Sequence, residues 1–417
     1  TQPAGDVDKQ WYACAVSGNG SVLLAGVYNG RLYLSTNGGT SWSETQPAGS
    51  LDRYWRCCAV SGDGSVLLAG VFGGRLYLST NGGTSWSEQQ PAGSLDKDWR
   101  CCAVSGNGSV LLAGVNGGRL YLSTDGGTSW SETQPAGGVD RQWYACAVSG
   151  NGSVLLAGVY NGRLYLSTNG GTSWSETRPA GSANRQWYAC AVSGNGSVLL
   201  AGVYNGRLYL STNGGTSWSE TQPAGSLNRY WLCCAVSGDG SVLLAGVSNG
   251  RLYLSTNGGT SWSETQPAGD VDKQWCCCDA DYDGSTLLAG ITNGRLYLYV
   301  GTLTIAPTGI SSAEAFGSPS LIPGQVTVTP TGIASTEALG SPSVLPGTVA
   351  IHPAGIASAE AFGTALILAS QIIIPDGIAS AEAFGNASVL PGTVIVSPAG
   401  IASSEALGSP TVVPGTA

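Results

Sequence analysis

Twelve cysteines are the first residues of this 417-residue sequence whose chemistry needs a decision. Thiols can pair as disulfides or hold zinc, and spacing discriminates between these uses. Seven recur at one interval: Cys14, Cys58, Cys102, Cys146, Cys190, Cys234 and Cys278. Cys57, Cys101, Cys233 and Cys277 stand where other copies of the pattern have Ala, and Cys276 is extra. Residues adjacent on a strand point to opposite faces, so Cys57 and Cys58 make poor chelating partners. The one histidine, His352, lies far along the chain, which leaves no Cys/His zinc spacing. A cysteine that trades places with alanine behaves as a small buried hydrophobe. Packed thiols, no metal and no cofactor are the expectation.

Nucleophiles fare no better, because none has a positioned histidine base. Arginine occurs in every copy of a Gly-Arg-Leu-Tyr-Leu segment, from Arg31 to Arg295. A catalytic centre needs unlike groups converging at one place, whereas a group present in every copy is structural. No catalytic residue is expected, and the chain reads as a non-enzyme.

The elements behind these patterns repeat every 44 residues, from Trp11 through Trp55, Trp99, Trp143, Trp187 and Trp231 to Trp275. Each repeat holds runs that read as strands: in repeat one, Trp11 to Ser17, Ser21 to Val27, Arg31 to Thr36, and about Thr40 to Glu44. Gly18-Asn19-Gly20, Asn29-Gly30 and Asn37-Gly38-Gly39 separate them, and Asn-Gly is a strong hairpin signal. Four short antiparallel strands per repeat predict an all-β fold, a seven-bladed β-propeller over residues 1–301.

Composition changes after that point. All 17 Lys and Arg, every Trp and every Cys lie before residue 301, and from Thr302 only six acids carry charge. Residues 302–417 repeat at about 23 residues, marked by Gly309-Ile310, Gly332-Ile333, Gly355-Ile356, Gly377-Ile378 and Gly400-Ile401. Strands between Pro-Gly and Gly turns predict a β-repeat stalk of about five stacked units. Its Ser-x-Glu-Ala-Phe-Gly piece reads as one capped helical turn.

Ser35-Thr-Asn-Gly-Gly-Thr-Ser-Trp42 resembles the Asp-box hairpin of sialidase-like propellers, and the segment occurs six times in register. The box position is Asn37, Asn81, Asp125, Asn169, Asn213 and Asn257, with Trp42, Trp86, Trp130, Trp174, Trp218 and Trp262 closing each copy. The resemblance implies a structural role for these residues, with Asx side chains bonding the local backbone and Trp burying the hairpin. A sialidase-like activity would need an arginine cluster and a Tyr with acid partners drawn from different blades. The Arg shared by all seven copies argues against that. Repeat seven lacks the box, so an outer strand from elsewhere is expected to close the ring. Thr1 to Gly5, which match Thr45 to Gly49, and residues before them are the expected source. The absence of Met, even at the start, reads as a processed or partial product.

Variation between repeats gathers in the links before each Trp and the turns after the second strand, which would share one face. Tyr12, Tyr144 and Tyr188 occur together with Tyr28, Tyr160 and Tyr204, so these pairs are expected to touch. Tyr54, Phe72 and Tyr230 belong to the same face, as does a basic ring of Lys9, Arg53, Lys97, Arg141, Arg185, Arg229 and Lys273. These are the candidate binding residues, suited to a glycan or an acidic surface; the plainer alternative is that the basic residues tie loops together. Asn19-Gly-Ser21 fits a glycosylation sequon but is more simply a turn.

A net charge of −9 argues against nucleic acid, and no apolar run reaches the ~20 residues of a membrane helix. The later repeats look like those of phage tail and virion structural proteins. That likeness implies a virion-associated structural protein with a propeller head for host attachment. Its partners would be virion proteins, a host-surface glycan, or other copies joined through the stalk as a homo-oligomer. A secreted, cell-surface lectin or adhesin is the alternative.

Overall fold

The computed structural model describes residues 3, 5 and 8–305, and beyond them short strands between 315 and 412. The chain divides into two compact bodies, Thr1–Tyr299 and Val300–Ala417.

In the first body each 44-residue repeat folds into an antiparallel sheet in chain order. Repeat one supplies Trp11–Val16, Leu23–Val27, Leu32–Ser35 and Ser43–Thr45. The Asn-Gly turns work as the sequence suggests, with Asn29 at φ 55°, a conformation Asn tolerates well. The outer strand is shorter than expected and starts at Ser43 instead of Thr40. The reason is the box hairpin, which takes the preceding residues for its own bonds. Gly39 N donates to Ser35 Oγ (2.9 Å), and Ser41 N donates to Asn37 Oδ1 (2.9 Å). Asp125 substitutes for Asn in the same geometry, and the bonds from Ser129 hold its carboxyl down at about 2.

The second strand is buried along its whole length and sits between its neighbours, while the first strand of each repeat lines a central channel. Each core lies between two consecutive repeats. Leu24 and Leu32 of repeat one, for example, pack with Trp55, Leu67 and Tyr77 of repeat two. Within each repeat the strand Trp meets the third-strand Tyr edge-on, as Trp11 meets Tyr33 at 5.6 Å. Repeat seven packs on repeat one in the same way, and Trp11 Nε1 donates to Gly294 O (3.1 Å).

Among the described residues repeat seven has three strands, Trp275–Ala280, Thr286–Ile291 and Leu296–Val300. The closing strand expected from Thr1 to Gly5 falls mostly outside the described residues.

In the second body three five-stranded parallel sheets run through the 23-residue repeats. Equivalent residues pair from repeat to repeat, as Thr302 with Gln325 and Ala315 with Ala338. Ala315–Phe316 and its copies are therefore strand, not the end of a helical turn. Once every repeat offers the same residues at the same spacing, parallel pairing satisfies this backbone.

Candidate functional site: the channel mouth

The residue after each strand Trp decides the chemistry of one channel mouth. In every repeat the first and second strands slip register there: Trp11 pairs with Val27, yet Ala13 already pairs with Gly26. The same slip falls at Arg56, Arg100, Tyr144, Tyr188, Leu232 and Cys276. A bulge of this kind re-aims the extra residue, here into the mouth. The result is a cavity of about 450 Å3, completed by turn residues such as Tyr28, Phe72, Asn116 and Tyr204.

Aromatic rings form two runs around it. Tyr12 meets Tyr28 at 4.9 Å, and Tyr28 stacks on Tyr54 at 4.5 Å. On the other side Tyr144 stacks on Tyr160, Tyr188 on Tyr204, and Tyr204 meets Tyr230. The three pairs expected from joint occurrence are thus in contact. Tyr54 and Tyr230 sit at the rim, and Tyr160 backs Tyr144 without lining the cavity.

Two arginines join the runs. Arg56 lies over the Tyr12 ring at 4.5 Å, and its Nη2 donates to Tyr188 Oη at 3.2 Å. Arg100 lies over Tyr144 at 4.3 Å and Tyr188 at 4.7 Å. Burial first, and then the Arg100 charge, lower Arg56 from the ordinary arginine value. Burial raises Tyr12 and pushes Cys276 up to about 12, so both stay protonated near neutrality. The third-strand arginines are different, being neutralised: Arg31 meets Asp52 at 2.9 Å, and Arg75 meets Asp96 at 2.8 Å. Among the described residues no carboxylate pairs with Arg56 or Arg100, and none lines this mouth.

The basic ring lies elsewhere. Lys9, Arg53, Lys97, Arg185 and Lys273 form backbone bridges to the preceding repeat, as Arg53 does with Gly30. Arg141 and Arg229 make the same stitch inside longer strands. None of the seven lines the mouth. Arg56 and Arg100 carry no expected role in the sequence. Their signal was a cation at a position that is Tyr in three other repeats.

The opposite mouth is a smaller cavity of about 290 Å3, acidic on one side only, where Asp279 and Asp281 of repeat seven line it. Between the two mouths the waist is the ring of seven cysteines from Cys14 to Cys278, all free thiols. Cys14 Sγ donates to Leu288 O and Cys58 Sγ to Leu24 O, so these side chains turn toward the preceding repeat. Burial pushes both thiols well above their ordinary value.

No protein-family model matches the chain, nor does any curated protein. Solved structures do. YCF48 bound to D1 peptide is similar at a TM-score of 0.55 and 17% identity, over 72% of this chain and 94% of that one. The Cps50 (Swd1) β-propeller domain of Myceliophteria thermophila gives 0.55 and 14%, over 70% and 96%. The GH74 xyloglucanase from Xanthomonas campestris gives 0.54 and 19%, over 72% of this chain but 53% of that enzyme. At such identities the likeness is one of fold. The repeats form a β-propeller.

Proposed function

We propose that this chain is a binding protein that performs no chemistry, and that its channel mouth takes an anionic group on a surface glycan. The carrying observation is the pair Arg56 and Arg100, two guanidiniums held close together by tyrosines with no carboxylate partner among the described residues. Half-buried cations of this kind favour an incoming anion, and guanidinium suits a carboxylate or sulfate through paired hydrogen bonds. The surrounding tyrosines offer flat faces for sugar rings at low entropic cost.

In this proposal the seven repeats are the blades of an Asp-box propeller, and residues 302–417 are a stalk that presents it. A virion-associated protein of phage tail or fibre type suits such a build, with a secreted lectin as the alternative. Detection of the chain in purified particles would separate these two. The fold shared with YCF48, solved with a bound peptide, makes an acidic peptide the second reading of the same mouth.

The test is an array of acidic and neutral glycans, with acidic peptides alongside, probed with the full chain and with an Arg56→Gln/Arg100→Gln variant. Acidic glycans should bind and the variant should lose more than tenfold in affinity, about 1.4 kcal/mol or more, at unchanged Tm. Variant binding equal to that of the parent overturns the assignment of the mouth; binding of peptides alone overturns the glycan.

A further inference from the structure

Cysteines adjacent in the first strand point to opposite faces, so each serves a different joint between repeats. Cys277 Sγ of repeat seven donates to Trp11 O of repeat one at 4.0 Å, and Cys14 Sγ donates back to Leu288 O at 3.8 Å. Cys101 and Cys146 cross the joint of repeats three and four in the same way, donating to Trp143 O and Leu112 O at 4.0 and 3.9 Å. Cys233 and Cys278 do so between repeats six and seven, at 3.7 Å to Trp275 O and 3.9 Å to Leu244 O. At the joint of repeats two and three, Cys102 Sγ donates to Leu68 O at 3.8 Å, and Cys57 Sγ fills the space over Gly70 beside Trp99.

Each of these joints therefore holds two thiols that reach across it, and the members of each pair lie within hydrogen-bond reach of one another. Three of the pairs share one core: Cys57 with Cys102, Cys14 with Cys277, and Cys233 with Cys278. The other three joints carry a single thiol, Cys58, Cys190 or Cys234, because Ala13, Ala145 or Ala189 takes the forward place. All twelve cysteines border the cavity of about 450 Å3 at the channel mouth, which gives a small solute a route to them. Burial holds Cys14, Cys102, Cys146 and Cys278 well above the ordinary thiol value. It penalises a charged thiolate but not an uncharged disulfide.

We infer that these four thiol pairs are oxidation sites, at which hydrogen peroxide converts each pair to a disulfide that staples two neighbouring repeats. One thiol, as thiolate, attacks the O–O bond and becomes a sulfenic acid, and the departing hydroxide leaves as water with that thiol's proton. The partner thiol then attacks the oxidised sulfur, an S–S bond forms, and a second water leaves. Each sulfur gives up one electron, and the two peroxide oxygens take them. Repeats two, three and four become one covalent block and repeats six, seven and one another, with repeat five outside both. The Cys14–Cys277 bond joins the last repeat to the first, closes the longest loop and so restricts the unfolded chain most. Packing alone holds these joints in a reducing compartment, and covalent bonds add to it in an oxidising one.

The experiment treats the full chain with one hydrogen peroxide per thiol pair at about pH 8, alkylates the remaining thiols in guanidinium, and maps links after trypsin without reductant. Free thiols should fall from twelve to four, leaving Cys58, Cys190, Cys234 and Cys276. Two three-peptide species are expected, 57–75 with 101–119 and 142–163, and 230–251 with 274–295 and 10–31, while 186–207 stays unlinked. Ala145→Cys supplies the forward thiol opposite Cys190, in a place that is Cys in four other repeats, and should bring 186–207 into a link with 142–163. Retention of all twelve thiols, oxidation without links, parent links that include 186–207, or no new link in the variant would each overturn the assignment.

Discussion

Asp279 stands where the other six repeats have Ala, from Ala15 to Ala235. Its Oδ2 accepts a hydrogen bond from Val16 N at 2.8 Å across the joint between the last repeat and the first. Burial pushes the carboxyl from 3.8 up to about 7, and Asp281 beside it up to about 6. Both groups hold a proton more tightly folded than unfolded. Their stabilisation is therefore full below about pH 4 and is lost as pH rises through about 6 to 7. The rise at Asp279 corresponds to at most about 4 kcal/mol, and its partial exposure where it lines the opposite mouth reduces this to about 2. Thermal unfolding at pH 5 and pH 8 should show a higher Tm at pH 5, by about 3–6 °C. Asp279→Asn should raise the Tm at pH 8 and flatten the profile, and an unchanged profile would remove Asp279 as its source. The thiols give a second check. A thiol reagent at pH 8 should label few of the twelve cysteines in the folded chain and all of them in guanidinium. At this scale the sequence was informative about identity but silent about direction. Arg56 and Tyr12 share a column of the repeat, yet that the column points into the mouth depends on a register slip against another strand.

At the scale of the element, the box hairpin shows why some features were legible. Turn positions were readable because Asn-Gly and Gly-Gly encode positive φ locally. The outer strand was misjudged because the residues before Ser43 have two local uses, strand or hairpin cap, and the side-chain bonds of Ser35 and Asn37 decide for the cap. Gly39 makes this testable. Its φ is +81°, and a Cβ built there collides with Leu298 of the adjacent repeat. Gly49, at φ +75°, would meet nothing within 4 Å. Gly39→Ala should cost about 2–4 kcal/mol and Gly49→Ala about 1 kcal/mol, measured by denaturant unfolding. Equal costs would mean that backbone conformation alone matters at Gly39. In the second body the spacing of Gly-Ile pairs revealed stacking, while the Ala-Phe segment misled, because a short apolar run beside a possible cap fits helix and strand alike.

For the whole molecule, every core of the first body belongs to two repeats, so none can form from a single repeat. Residues 1–300 expressed alone should then unfold in one transition, with fluorescence and circular dichroism midpoints coinciding. Separate midpoints would mean repeats that melt independently. The periodicity was plain in the sequence because each repeat must present the same two faces. The unlike residues of repeat seven, Asp279, Asp281 and Tyr282, did not stand out as a group, since their bonds run to different repeats: Asp279 to Val16 and Tyr282 to Gly18 of repeat one, and Asp281 O to Gly238 N of repeat six. Their effect concerns counting. Identical joints cannot tell a chain when to stop: any repeat would accept any other, and the same interfaces could propagate from molecule to molecule as an open polymer. At the joint of last to first, Tyr282 N donates to Gly18 O and Asp279 accepts from Val16, contacts whose residue types no other joint shares. That asymmetry works as a key. It gives a periodic sequence one preferred way to end, and so fixes both the number of repeats in the ring and the fact that the ring is closed.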